Sequence, residues 1–133
     1  MRREPGFDEH SEAYALFRRG MAFLDARHPG QAAQLLEHAL ALEPDRMSIR
    51  EALGRALFAL GETSRAAAQF EAIVAAVPDN DYAQYALGRC LVKMGRAAEG
   101  RGRFRLAAAL APRRRLYGEA LGGASDASPS DAV

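Results

Sequence analysis

Residues 53–78 read LGRALFALGETSRAAAQFEAIVAAVP. Apolar side chains recur here at spacings of three and four, through Leu53 and Leu57 and again through Ala66, Phe70, Ile73 and Val74. Such spacing lines one face of an α-helix, so the stretch predicts two helices. Gly61 breaks the pattern between them, as a glycine past a helix C-terminus does. Pro78 ends the second helix, because proline cannot continue one. Working outward, the punctuation repeats. Gly20, Gly54 and Gly88 are evenly spaced, at i, i+34 and i+68. Pro44, Pro78 and Pro112 keep the same interval, each at i+24 from its glycine. Two markers locked in phase, with a period in the range of about 20–50 residues, signal stacked structural repeats.

The flanking repeats carry the same pattern. Their first helices hold Leu16, Gly20 and Phe23, then Leu87, Gly88 and Leu91. Their second helices hold Ala32, Leu36, Ala39 and Leu40, then Phe104, Ala107 and Leu110. A glycine inside a helix costs about 1 kcal/mol relative to alanine. Keeping three of them implies helices packed too closely for a methyl group. Gly95 closes the first helix of repeat 3, as Gly61 does in repeat 2. His28-Pro29-Gly30 is the corresponding turn expected in repeat 1. Asp45 and the run Asp79-Asn80-Asp81 follow the prolines and are the expected caps of the next helices. Leu121-Gly122 echoes Leu53-Gly54 and Leu87-Gly88, and Gly122 falls one further period after Gly88. Residues 114–121 therefore predict a capping helix, with contacts from Leu116, Tyr117 and Leu121. The expected organisation is a flexible head over 1–10 and one domain over 11–122, containing repeats 13–46, 47–80 and 81–114 and the cap. A disordered tail rich in Gly, Ala, Ser and Asp is expected over 123–133.

On these residues the chain resembles the tetratricopeptide repeat family. Repeat 2 carries the pattern best, in Leu53-Gly54, Leu57, Ala66, Phe70 and Pro78. Repeat 1 shows Gly20, Phe23, Ala32, Leu36, Ala39 and Pro44, and repeat 3 shows Leu87-Gly88, Leu91, Phe104, Ala107 and Pro112. Leu16, Arg50 and Gln84 stand where the family commonly has a large aromatic. Arg19 replaces a usual leucine and Gly100 a usual alanine. The resemblance implies an all-α fold, a right-handed α-solenoid of three antiparallel helix-turn-helix repeats with a C-terminal capping helix. It also implies a concave groove lined by the first helices.

Carried over by position, that lining is Tyr14, Phe17, Met21, Leu24 and Asp25 from repeat 1. Repeat 2 supplies Ser48, Glu51, Arg55, Phe58 and Ala59. Repeat 3 supplies Tyr82, Tyr85, Arg89, Val92 and Lys93. Arg55 and Arg89 occupy equivalent places and are expected to project side by side. Aromatics with arginines dominate binding hot spots, and arginine forks onto carboxylates. The expected partner is a protein or peptide segment with aromatic or aliphatic anchors and at least one acidic group. One branch of the family clamps the terminal carboxylate of chaperone tails. The matching positions here hold Phe17, Met21, Ala52, Tyr82 and Ala86, which disfavours that mode.

Chemistry finds little support. His10, His28 and His38 have no second ligand at helical spacing, so no metal and no cofactor are expected. Cys90 is equivalent to Ala22 and Ala56, and reads as a small buried residue rather than a nucleophile. No phosphate-binding glycine loop, dinucleotide fingerprint or nucleophile elbow occurs, so neither an enzyme nor a small-molecule substrate is expected.

Charge is unevenly spread. Residues 81–121 hold nine basic and three acidic residues, a net of +6, while the 133-residue chain carries only +1. Nucleic-acid binding through Arg101, Arg103, Arg105 and Arg113 to Arg115 is thus a third reading, disfavoured by the near-neutral total. A self-associating structural or assembly module is the second. No apolar run long enough to suggest a membrane span occurs, and MRREPGFDEH has no apolar stretch that suggests a signal peptide. One cysteine fits a reducing, cytoplasmic setting. Lys93 as the sole lysine among many arginines, with abundant alanine, suggests a GC-rich bacterial source.

Overall fold

Helix boundaries follow the punctuation. A computed structural model describes residue 4 and residues 6–126, with side chains through residue 123. The described residues form seven α-helices and no strand: α1 (Glu12–Asp25), α2 (Pro29–Leu42), α3 (Met47–Ala59), α4 (Thr63–Ala76), α5 (Asp81–Lys93), α6 (Ala97–Leu110) and α7 (Arg115–Asp126). Each first helix ends on the same turn. The N–H groups of His28, Glu62 and Arg96 donate to the carbonyls of Phe23, Leu57 and Leu91 at 2.8, 2.9 and 2.8 Å. That closure puts the preceding residue in the left-handed region. Gly61 and Gly95 adopt it at φ 81° and 82°, and repeat 1 places Arg27 there at φ 64°. The expected turn at His28-Pro29-Gly30 thus begins one residue earlier, at Arg27, and Pro29 opens α2, in the first turn where the proline is expected.

The starts of α3 and α5 differ. Asn80 Oδ1 accepts from the Ala83 N–H at 3.0 Å, as expected. Asp45 does not cap α3: its N-cap is Arg46, which makes no side-chain cap bond. The Glu4 carboxylate substitutes, accepting from the N–H groups of Met47 and Ser48 at 2.9 and 2.7 Å. Phe7 also docks, its ring 5.1 Å from Tyr14 and 5.6 Å from Phe17. Within the head expected over 1–10, Glu4 thus meets the orphan donors of α3, and Phe7 an aromatic slot on α1. Residues 1–3 and 5 lie outside the described residues.

Internal contacts divide the chain into two compact units, with the boundary inside α4 after Gln69. In unit 1, α1 and α2 run antiparallel, and α3 packs on both. A Cβ on Gly20 would lie 2.7 Å from Leu36 Cγ. Leu16, Ala39 and Ile49 form a buried cluster, with Phe7, Phe17, Leu35 and Leu40 against it. Arg50 donates to Gln69 Oε1 at 2.9 Å and to the Pro44 carbonyl at 2.7 Å.

In unit 2, α5 and α6 run antiparallel and cross at two glycines. A Cβ on Gly88 would lie 2.6 Å from Phe104 Cε1, and one on Gly100 2.8 Å from the Gly88 carbonyl oxygen. The departure at Gly100 is thus what lets this crossing close. Buried Gln84 donates to the Pro78 carbonyl at 2.9 Å and accepts from Arg103 Nη1 at 3.0 Å. This is the Arg50–Gln69 clasp with the two residue types exchanged.

The capping helix α7 buries Tyr117 completely against Tyr85, Phe104 and Ala107, with Ala120 and Leu121 beside it. The Tyr117 hydroxyl donates to Asp81 Oδ2 at 2.6 Å. Leu116, expected among the cap contacts, is instead 41% exposed, because the inward face runs through residues 117, 120 and 121. The helix also passes the expected stop at residue 121 and runs to Asp126. Gly122 and Gly123 weaken a helix without breaking it, and Leu121 anchors that turn. Residues 127–133 of the expected tail lie outside the described residues.

Candidate functional site

Positions 14, 17 and 21 fall on one face of α1. Tyr14 and Phe17 are half-buried there, with ring centroids 6.5 Å apart. Phe7 stands edge-on to Tyr14 at an interplanar angle of 86°. The Arg46 guanidinium covers the Phe7 ring, 4.4 Å from its centroid. Met21 on α1 and Glu51, Arg55 and Phe58 on α3 are half-buried in the same unit. Unit 1 thus holds an aromatic cluster with Arg46 over it, and separately half-buried Glu51, Arg55 and Phe58 along α3.

Unit 2 presents Tyr82, Tyr85, Arg89 and Lys93 along α5. Tyr82 is half-buried, its ring 6.1 Å from Tyr85 and 6.3 Å from Phe70. Arg89 is exposed, its guanidinium 5.9 Å from the Tyr85 centroid. Lys93 is exposed one turn further on. Tyr85, of the expected lining, is mostly covered. It is only 9% exposed, because Tyr117 of α7 packs 5.2 Å away, so it is a core residue beneath Arg89.

The sequence-derived set lacks Glu4, Phe7 and Arg46. A lone aromatic inside a polar head was the available signal for Phe7. Nothing local pairs Glu4 with the start of α3, which is remote from it in sequence.

Electrostatics separate structural from surface groups. Burial pushes the Cys90 thiol up to about 11. At neutral pH it is protonated and poorly nucleophilic. Arg103, Arg114 and Arg115 of the arginine run make contacts within the fold. Arg103 holds Gln84. Arg114 lies 5.2 Å from the Tyr117 ring centroid and 3.9 Å from Asp81. Arg115 pairs with Glu119 at 3.4 Å. Arg96 pairs with Glu99, and that hydrogen bond holds the Glu99 carboxyl below its ordinary range. Arg105 and Arg113 are exposed. Among the described residues, no group of three His, Cys, Asp or Glu is placed to hold a metal ion, and no helix is long and apolar enough to cross a membrane.

Repeat phase, turns and helix pairing match known proteins. Residues 17–81 match one tetratricopeptide repeat family model, and residues 57–122 match a second. The chain belongs to the tetratricopeptide repeat family. No curated protein matches the sequence. Among solved structures, MamA superposes with a TM-score of 0.81 at 20% identity, over 86% of this chain and 67% of that one. A MamA double mutant gives 0.81 at 24% identity, over 86% and 64%. An O-GlcNAc transferase from Thermobaculum terrenum gives 0.80 at 22% identity, over 88% of this chain but only 22% of that one. At these identities the likeness shows the fold. Tetratricopeptide repeats support protein interaction in general, and this chain is a repeat scaffold of that kind.

Proposed function

We propose that this chain is a non-catalytic adaptor that binds a polypeptide segment through the first helices of its repeats. The carrying observation is the composition of α5, where exposed Arg89 lies over Tyr85 and half-buried Tyr82 stands one turn before. An aromatic floor with a cation above it suits acidic and aromatic side chains together. In unit 1, Arg55 holds the matching position on α3, half-buried, with Phe58 nearby in sequence. Three of the six arginines in that run, Arg103, Arg114 and Arg115, are paired with Gln84, Asp81 and Glu119, so the run supports nucleic-acid binding less than a bare charge count does.

Charge reversal tests the adaptor reading. Affinity capture from the native host with Arg55→Glu/Arg89→Glu should lose the partners that the parent recovers. Unchanged recovery, from a variant with the parent's circular dichroism, overturns it. Leu106 and Leu110, 47% and 42% exposed one turn apart on α6, favour self-association as a second reading. Light scattering at micromolar concentration separates the two by mass.

A further inference from the structure

Helix α6 turns an apolar face to solvent. Leu106 and Leu110, one turn apart, are 47% and 42% exposed, with exposed Ala109 beside them. The matching residues are His38 and Leu42 on α2, and Ala72 and Ala76 on α4, so α6 alone sets two large apolar side chains there. One turn before Leu106, Gly102 leaves a hollow, where a Cβ would meet nothing within 4 Å. Charge divides along the same face. Glu99, in the first turn, precedes Gly102 and Leu106 at spacings of three and four, and exposed Arg113 follows the last turn. Glu99 accepts from Arg96 through both oxygens, at 2.9 and 2.6 Å. Its side chain is still 58% exposed, and a carboxylate has lone pairs beyond those two.

A large apolar knob, a hollow, an acid and a base thus share one face, which makes it the complement of itself. Two copies laid parallel would set Glu99 beside Glu99 and Arg113 beside Arg113. Laid antiparallel about the midpoint of Gly102 and Leu106, each Leu106 rests over the other copy's hollow. Each Glu99 then comes alongside the other copy's Arg113. We infer that α6 pairs antiparallel with α6 of a second copy of this chain, closing a twofold dimer. Leucine burial holds the copies together, and the ion pairs at the rim fix their direction. The inference rests on the self-association reading and gives it an interface. It stands apart from the adaptor reading.

Light scattering on the full-length chain at micromolar concentration reads the mass. The parent should run at twice the chain mass, and Leu106→Glu at the monomer mass with the parent's circular dichroism. Leu42→Glu, on a leucine 45% exposed on α2, should leave the dimer intact. Arg113→Glu should weaken the dimer about tenfold, because both rim pairs become repulsive. Glu99→Arg/Arg113→Glu should return the dissociation constant to that of the parent. Gly102→Gln plugs the hollow from an open position, and should also give monomer if Leu106→Glu folds poorly. A dimer that survives Leu106→Glu and Gly102→Gln removes this interface but leaves self-association standing, whereas a monomeric parent removes both. Monomer from Leu42→Glu as well, or a charge swap without recovery, overturns the α6 pairing. A monomeric parent whose captured partners are lost in Leu106→Glu would mean that a different protein covers this face, which overturns the second-copy assignment.

Discussion

Gly20, Gly88 and Gly100 all sit at helix crossings, but each would push a new methyl group against a different neighbour. At Gly20 it is the Leu36 side chain, at Gly88 the Phe104 ring with the Gly100 carbonyl at 3.0 Å, and at Gly100 the Gly88 carbonyl at 2.8 Å as well as Val92. Side chains can shift, whereas backbone drags its helix along. Overpacking costs about 1–3 kcal/mol, and alanine returns about 1 kcal/mol of helix propensity. Chemical denaturation should therefore rank Gly100→Ala as most destabilising, at about 2 kcal/mol net, then Gly88→Ala, with Gly20→Ala within about 1 kcal/mol of the parent. Gly102→Ala, which meets nothing within 4 Å, should raise stability by about 0.5–1 kcal/mol. Loss at Gly102 equal to that at Gly100 would refute the close-crossing argument. Gly61 and Gly95 announce their turns in the sequence. Arg27 does not, because a left-handed arginine is forced by the hydrogen bonds around it and carries no compositional mark.

Among the elements, the period is legible because glycine and proline punctuate each hairpin. α2, α4 and α6 begin one full period apart, as the prolines do. The clasp between first and second helices was not legible. Arg50 and Gln84 read as departures from the family's aromatic, yet each spans to its partner helix and to a proline carbonyl. In repeat 1 the matching positions are Leu16 and Leu35, packed in one apolar cluster. The clasp predicts strong coupling in a double-mutant cycle. Gln69→Arg sets two arginines together and removes the acceptor, costing about 1–2 kcal/mol. Adding Arg50→Gln restores the pair in the order found in unit 2, and should recover most of that loss. Denaturation midpoints of the two single variants and the double read this directly, and purely additive effects would count against the clasp. The start of α3 was equally hidden, since its cap comes from Glu4, whose distance in sequence defeats any local rule.

At the scale of the whole molecule, alkaline pH is the sensitive direction. Burial, then the hydrogen bond to Asp81, raises the Tyr117 hydroxyl well above its ordinary range. Burial raises the Cys90 thiol from 9.0 to about 11. Both groups are neutral when folded and ionise more easily once exposed. Their stabilising effect is complete below the ordinary thiol value of 9.0, and it declines as pH climbs toward 11 and beyond. Thermal midpoints should hold steady between pH 7 and 8.5, then fall by pH 10.5. Tyr117→Phe should start lower, lacking the bond to Asp81, and fall less steeply. A midpoint unmoved at pH 10.5 would show that neither group is protected.

The exchanged clasps have a bearing on folding itself. Near-identical hairpins invite one helix to seize the wrong mate while the chain is collapsing. If α3 met α6, Arg50 would confront Arg103, and two like charges would share a half-buried gap without an acceptor. The correct mate offers Gln69 instead. Opposite wiring in adjacent hairpins thus discriminates against misassembly, at the modest cost of two polar residues where neighbouring repeats could have kept grease.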